Sequence, residues 1–109
     1  MFRFGEFELD IDRYELRRGG EVVKAEPRIL EVLDYLIRHR DRVVSKEELL
    51  DTIWKDVHVS ESALTTTIRD VRRALSDSPT APQWIRTIYG RGFRFVGEAG
   101  SGDTVRPFP

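Results

Sequence analysis

Residues 60–75 read SESALTTTIRDVRRAL, and the spacing of the apolar side chains in this stretch decides the fold. Leu64, Ile68, Val71 and Leu75 recur at helical spacing, which places them on one narrow face. At roughly 100° per residue, the opposite face carries Ser62, Thr66, Arg69, Asp70 and Arg73, with Thr65 and Arg72 on one flank. No large apolar side chain falls there. Ser60 is a natural N-cap, so the pattern predicts a helix over 60–76 with one apolar and one arginine- and threonine-rich side. Consecutive threonines are poor helix formers, so something other than local stability favours Thr65, Thr66 and Thr67.

Working outward, a polar turn at 76–82 leads to alternating runs at Trp84–Tyr89 and Phe93–Val96. Gly90-Arg91-Gly92 separates them, which predicts a β-hairpin over 84–96 with an arginine at its tip. On the other side, Ser45 followed by Glu48 has the spacing of a capping box and opens a helix that buries Leu49, Leu50, Ile53 and Trp54. The loop Lys55–Val59 joins it to the helix at 60. Pro27 opens an earlier helix with the stripe Ile29, Leu30, Leu33, Leu36 and Ile37, ending near His39–Asp41. The first 24 residues alternate with period two (Phe2, Phe4; Phe7, Leu9, Ile11; Tyr14, Leu16; Val22 or Val23) and contain a Gly19-Gly20 hairpin signal, so they read as an antiparallel sheet of three or four strands. Residues 97–109, GEAGSGDTVRPFP, have linker composition, which sets an expected domain at 1–97 and a flexible tail or linker at 98–109.

The order of sheet, three helices and hairpin is α+β: a winged helix-turn-helix with an N-terminal antiparallel β-sheet, a three-helix bundle and a C-terminal β-hairpin wing. Such a module sets its third helix in the major groove, roughly 12 Å wide, and its wing on the neighbouring backbone or minor groove. Arginines suit phosphates and guanine edges, and threonines offer a hydroxyl and a methyl. The residues expected from this reading to bind DNA are therefore Ser62, Thr65, Thr66, Arg69, Asp70, Arg72, Arg73 and Arg91.

Charge distribution agrees with this. The 109 residues carry a net charge of -1, but residues 60–97 hold six arginines against three acids while residues 1–59 are acidic by three. With no cysteine, disulfides, thiolate catalysis and cysteine-bound zinc are excluded. His39 and His58 stand alone, and no phosphate-binding glycine loop or catalytic pair is visible. The expectation is no enzyme, no metal, no cofactor and no small-molecule substrate. Trp54 and Trp84 read as core. No apolar run approaches the roughly 20 residues of a membrane span, and MFRFGEFELD lacks the features of a secretory signal, so a cytoplasmic domain without membrane contact is expected.

FRFGEFELD, ELRRGGEVV, EPRILEVLDYLI, RVVSKEELLDTIW, VSESALTTTIRDVRRALSD and IRTIYGRGFRFVG together resemble the OmpR/PhoB-type winged-helix regulators, more closely the CadC/ToxR-like subset with this domain at the N-terminus. The resemblance covers residues 2–97. It implies that the N-terminal sheet packs on the helices, and that the protein binds repeated sites and acts on transcription. It also implies that Thr65 and Thr66 face bases or adjacent phosphates, that Arg72 and Thr87 meet the backbone, and that the loop Lys55, Asp56, Val57, His58 and Val59 touches RNA polymerase. Asp70 and Tyr89 depart from it, standing where basic residues are common, and the resemblance adds Thr87 and Tyr89 to the expected DNA-binding residues. The competing reading is a winged helix that has lost DNA binding and docks proteins. Because one such module buries only about 600–1,000 Å² on DNA, dimeric or tandem binding is expected.

Overall fold

Phe2, Phe4, Phe7, Leu9 and Leu16 alternate with polar neighbours, and that alternation gives an antiparallel sheet one buried face. The computed structural model describes residues 1–55, 57–97 and 100–101, the last two as backbone. Strands β1 (Phe2–Phe4), β2 (Phe7–Asp10), β3 (Glu15–Arg18) and β4 (Glu21–Val23) form a meander, with a 3-10 turn at Ile11–Arg13. Phe4 pairs with Phe7, and Leu9 with Leu16, so apolar side chains face each other across neighbouring strands.

Helix α1 (Pro27–Arg38) begins with proline in its first turn and ends at His39. Val32, outside the predicted stripe, is fully buried, whereas Ile29 is half-buried. The apolar face is displaced because α1 packs against α2 (Lys46–Ile53), α3 (Glu61–Ala74) and the C-terminal hairpin together.

The hairpin is not a free two-stranded ribbon. Val44–Ser45 form a short strand, β5, that pairs with β7 (Gly92–Phe95), which in turn pairs with β6 (Ile85–Ile88). Val44 stands fully buried opposite Phe93. Trp84, at the base of β6, meets Phe4 edge-on at 5.2 Å and stacks with Phe95 at 6.1 Å, which fastens the wing to the N-terminal sheet. Beyond the wing, Gly100–Ser101 form β8, antiparallel to β1 at Phe2 and Arg3. Two residues of the stretch expected as tail thus extend the sheet, by backbone hydrogen bonding that needs no apolar side chain. The rest of that stretch, 98–99 and 102–109, lies outside the described residues.

Two carboxylates fix the elements around α3. The capping box at α2 is half formed: Ser45 Oγ accepts from Glu48 N at 3.0 Å, but the Glu48 carboxylate turns away to Arg42, at 2.8 and 2.6 Å, and to the Tyr35 hydroxyl. It ties the end of α1 to the start of α2. At the far end of α3, Asp77 N donates to Arg72 O and Ser76 N to Arg73 O, while Ser76 takes the left-handed conformation at φ 53°. This closes the helix as a Schellman motif with serine where glycine is usual. Arg18 explains the serine, donating to its Oγ at 3.1 Å. Asp77 then accepts from three backbone amides: Gln83 at 2.7 Å, Trp84 at 3.2 Å and Ile85 at 2.8 Å. The start of β6 hangs on that carboxylate.

Both carboxylates can be tested by denaturation. Hydrogen bonding from Arg42, then from Tyr35, lowers the Glu48 pKa from 4.5 to about 2. Its stabilisation is therefore complete above the unfolded value and disappears as pH falls from about 5 to about 2. Glu48→Gln is expected to cost about 1–2 kcal/mol at pH 7, allowing for solvent screening, with the gap from wild type closing over that acid range in urea titrations. Asp77→Ala is expected to cost about 2 kcal/mol by the same measurement, since three amides lose a charged acceptor. Amide exchange should quicken in β6 before α1.

Candidate nucleic-acid interface

Helix α3 turns Leu64, Ile68 and Val71 inward, and Leu75 at its C-cap is also buried. Ser62, Thr65, Thr66, Arg69 and Arg73 are exposed on the other side, with Asp70 and Arg72 half-buried on opposite flanks. The threonines divide their labour. Thr65 Oγ1 donates to Glu61 O at 3.2 Å and Thr67 Oγ1 to Ala63 O at 2.9 Å, each bonding back one turn, which is how this run is accommodated in a helix. Thr66 has no hydrogen-bond partner among the described residues, so its hydroxyl is available to a ligand. Asp70 lies 4.0 Å from Arg73 and partly offsets its charge.

Arg72 has a task that sequence reasoning missed. Its guanidinium donates to Ile85 O at 3.1 Å and to Thr87 Oγ1 at 2.7 Å, joining the outer flank of α3 to strand β6. Arg72 and Thr87 were both expected to face a duplex, and the structure places them against each other, holding helix and wing at a fixed separation. No sequence signal marks this pair, because one acceptor is a main-chain carbonyl.

At the wing tip the turn comprises Tyr89, Gly90 and Arg91, closed by Arg91 N donating to Ile88 O at 2.9 Å. Tyr89 is 90% exposed and Arg91 is exposed beside it. Gly92, expected to separate the two strands, begins β7 instead. A Cβ there would stand 2.0 Å from Val44 O, so its glycine serves the approach of β5. Arg86 and Arg94, which the expected set omitted, stand exposed and directly opposite each other on β6 and β7.

The loop before α3 shows Lys55, Val57 and His58 exposed and Val59 half-buried, while Asp56 lies outside the described residues. Trp54 is buried beneath it, with the Arg28 guanidinium 5.2 Å from its ring. Trp84 is likewise core.

Ion pairing sorts the arginines. In the first half, Arg3, Arg13, Arg17, Arg18, Arg28, Arg38 and Arg42 each lie within 4 Å of a carboxylate. Among the described residues, Arg69, Arg72, Arg86, Arg91 and Arg94 have no such partner, and in the first half only Arg40 lacks one. Uncompensated positive charge is thus collected on α3 and the wing, whatever the net charge of the chain. No helix among the described residues is long and apolar enough to cross a membrane, and none of their His, Asp and Glu side chains cluster as a metal site.

Known proteins share this arrangement. The chain is 30% identical over 97 residues to the transcriptional activator CadC of Escherichia coli K12, covering 88% of this chain and 19% of CadC. It is 38% identical over 94 residues to the transcriptional regulator HilA of Salmonella typhi, covering 86% of this chain and 17% of HilA. It therefore spans less than a fifth of either relative. The solved DNA-binding domain of E. coli CadC superposes with a TM-score of 0.79 at 27% identity, over 90% of this chain and 92% of that one. The response regulator DrrB of Thermotoga maritima, an OmpR/PhoB homologue, also superposes at 0.79 with 32% identity, over 87% of this chain and 43% of DrrB. These relatives are regulators rather than enzymes. With residues 20–95 matching the profile described as "Transcriptional regulatory protein, C terminal", the chain belongs to that family, the OmpR/PhoB-type winged-helix domains.

Proposed function

We propose that this domain binds double-stranded DNA sequence-specifically to regulate transcription, with the helix at 60–76 in the major groove and the wing at 84–96 on the backbone and minor groove. The observation that carries this is the exposed face of Thr65, Thr66, Arg69 and Arg73, fixed beside the wing by the Arg72–Thr87 contact. Arg69 and Arg73 neutralise phosphates, and Arg72 adds the Nη1 group that its bonds to the wing leave unused. Thr66 and Ser62 meet base edges, with Thr65 at the nearest phosphate. Asp70 orients Arg73, and Tyr89 and Arg91 reach the groove rim from the tip. The family and its regulator relatives support the transcriptional role. Two copies side by side supply useful affinity, and the loop of Lys55, Asp56, Val57, His58 and Val59, exposed at Lys55, Val57 and His58, meets RNA polymerase. The domain works in the cytoplasm, where such DNA lies.

Selection of bound duplexes from a random pool tests the proposal as a whole: an enriched motif with salt-sensitive affinity is expected, and a pool that stays random would refute it. On the selected site, Thr66→Ala is expected to cost about 1–3 kcal/mol against the preferred base at one step and little against the alternatives. Arg69→Ala is expected to weaken all sequences alike and to reduce the salt slope by about one phosphate. Equal, sequence-independent losses from both would contradict the division into reading and positioning residues. Val57→Ala with His58→Ala is expected to leave DNA affinity unchanged and to reduce the response of purified RNA polymerase in transcription assays.

A further inference from the structure

Arg86 and Arg94 occupy directly opposed positions on adjacent strands, a placement that sets like charges side by side and opposes folding. Neither finds a carboxylate within 4 Å among the described residues. Arg94 donates from Nε to Arg40 O at 3.1 Å, and Arg40, also without a carboxylate partner, donates to Ile37 O at 2.9 Å. Arg94 is thereby tied to the main chain of the loop after α1, while the Arg40 guanidinium itself lies 5.9 Å from the Phe2 ring and stands apart from the pair. Asp41, the acid next to Arg40 in the chain, is exposed and pairs with none of them.

Strand alternation decides which way the pair faces. Ile85, Phe93 and Phe95 are buried and Thr87 meets Arg72 of α3, so these define the inner face of the wing. Arg86 and Arg94 occupy the alternate positions and project from the outer face. A duplex lying along α3 meets that helix and the tip of the wing, and does not by itself account for the outer pair.

The geometry points to a second phosphate-binding surface on the outer face of the wing, made by Arg86 and Arg94, that engages DNA beyond the segment read by α3. This rests on the DNA-binding function proposed above. Phosphate suits the pair because successive backbone groups carry one charge each and accept from planar guanidinium donors. Contact there needs the duplex to continue past the tip and lean toward the domain, so it depends on DNA length.

The test uses the whole chain and three duplexes: the selected site alone, the site extended by ten base pairs on the wing side, and the site extended equally on the other side. Wild type is expected to bind the wing-side extension more tightly than the other two, with a salt slope steeper by about one to two phosphates. Arg86→Gln is expected to lose roughly three- to tenfold on that extension alone, with its slope reduced by about one. Arg86→Lys should retain most of the gain, since charge rather than packing is at stake. Without DNA, the Arg86→Gln domain is expected to melt no lower than wild type, because a like-charge contact has gone; a lower midpoint would remove the premise. Equal loss on all three duplexes would place Arg86 in the primary interface and overturn the proposal. No loss on any would overturn it too, leaving the pair to an acidic protein. Failure of the DNA-binding function itself would look different: wild type would form no salt-sensitive complex with any of the three.

Discussion

The contact on which this domain depends is the one between Arg72 on α3 and the strand that opens the wing. A duplex offers its major groove and flanking backbone at separations that its own helical geometry sets. A reading helix and a wing can meet them together only if their spacing is fixed before binding. Arg72 supplies that spacing by donating to Ile85 O and Thr87 Oγ1. Asp77 supplies it a second time, closing α3 through its own amide and collecting the amides of Gln83, Trp84 and Ile85 with its carboxylate. Both join the end of α3 to the start of β6 and meet at Ile85, so the helix and the strand on either side of the turn are held together twice. Preordering of this kind reduces the conformational cost of association.

Behind that unit the N-terminal sheet acts as a brace. Its aromatic side chains do not approach the proposed DNA face; they grip Trp84 and Phe95 at the root of the wing. Gly97 belongs to the same arrangement, since a Cβ there would stand 2.2 Å from the Trp84 ring. The tip is left to vary while its base is locked, and Tyr89 and Arg91 are correspondingly exposed. A substitution at the tip therefore alters contacts without disturbing the core, whereas one at Trp84 alters where the whole wing points.

What was legible beforehand follows from how each feature is encoded. The three helices, the N-terminal meander and the terminal hairpin are written as periodicities several residues long, and Leu64, Ile68 and Val71 fall where their spacing puts them. Strand β5 is two residues long, too short to show a period, and Ser45 within it carries the stronger mark of a helix cap. The Arg72–Thr87 link and the Asp77 clamp join residues six to fifteen positions apart through single hydrogen bonds, several of them to main-chain groups. Nothing in a linear pattern distinguishes such an arginine from one that faces solvent. Glu48 shows the same limit from the other side: its spacing from Ser45 marked a cap correctly, but an arginine three residues upstream of that serine outcompeted the backbone for its carboxylate.

A net charge of -1 looks unfavourable for a protein that must approach a polyanion, and the distribution of partners resolves the difficulty. At physiological salt a charge is felt over about 8 Å, so a duplex responds to the nearest patch and not to the total. In the N-terminal half every arginine but Arg40 lies within 4 Å of a carboxylate, which leaves that half neutral to acidic at short range. On α3 and the wing only Arg73 has such a neighbour among the described residues, Asp70 at 4.0 Å. The domain is consequently polarised, and approach with the N-terminal sheet foremost is repelled while approach with α3 foremost is attracted. The acids of the first half therefore favour the productive orientation. Exchanging one of them for a neutral residue would raise the overall attraction to DNA and lower the fraction of encounters that begin the right way round.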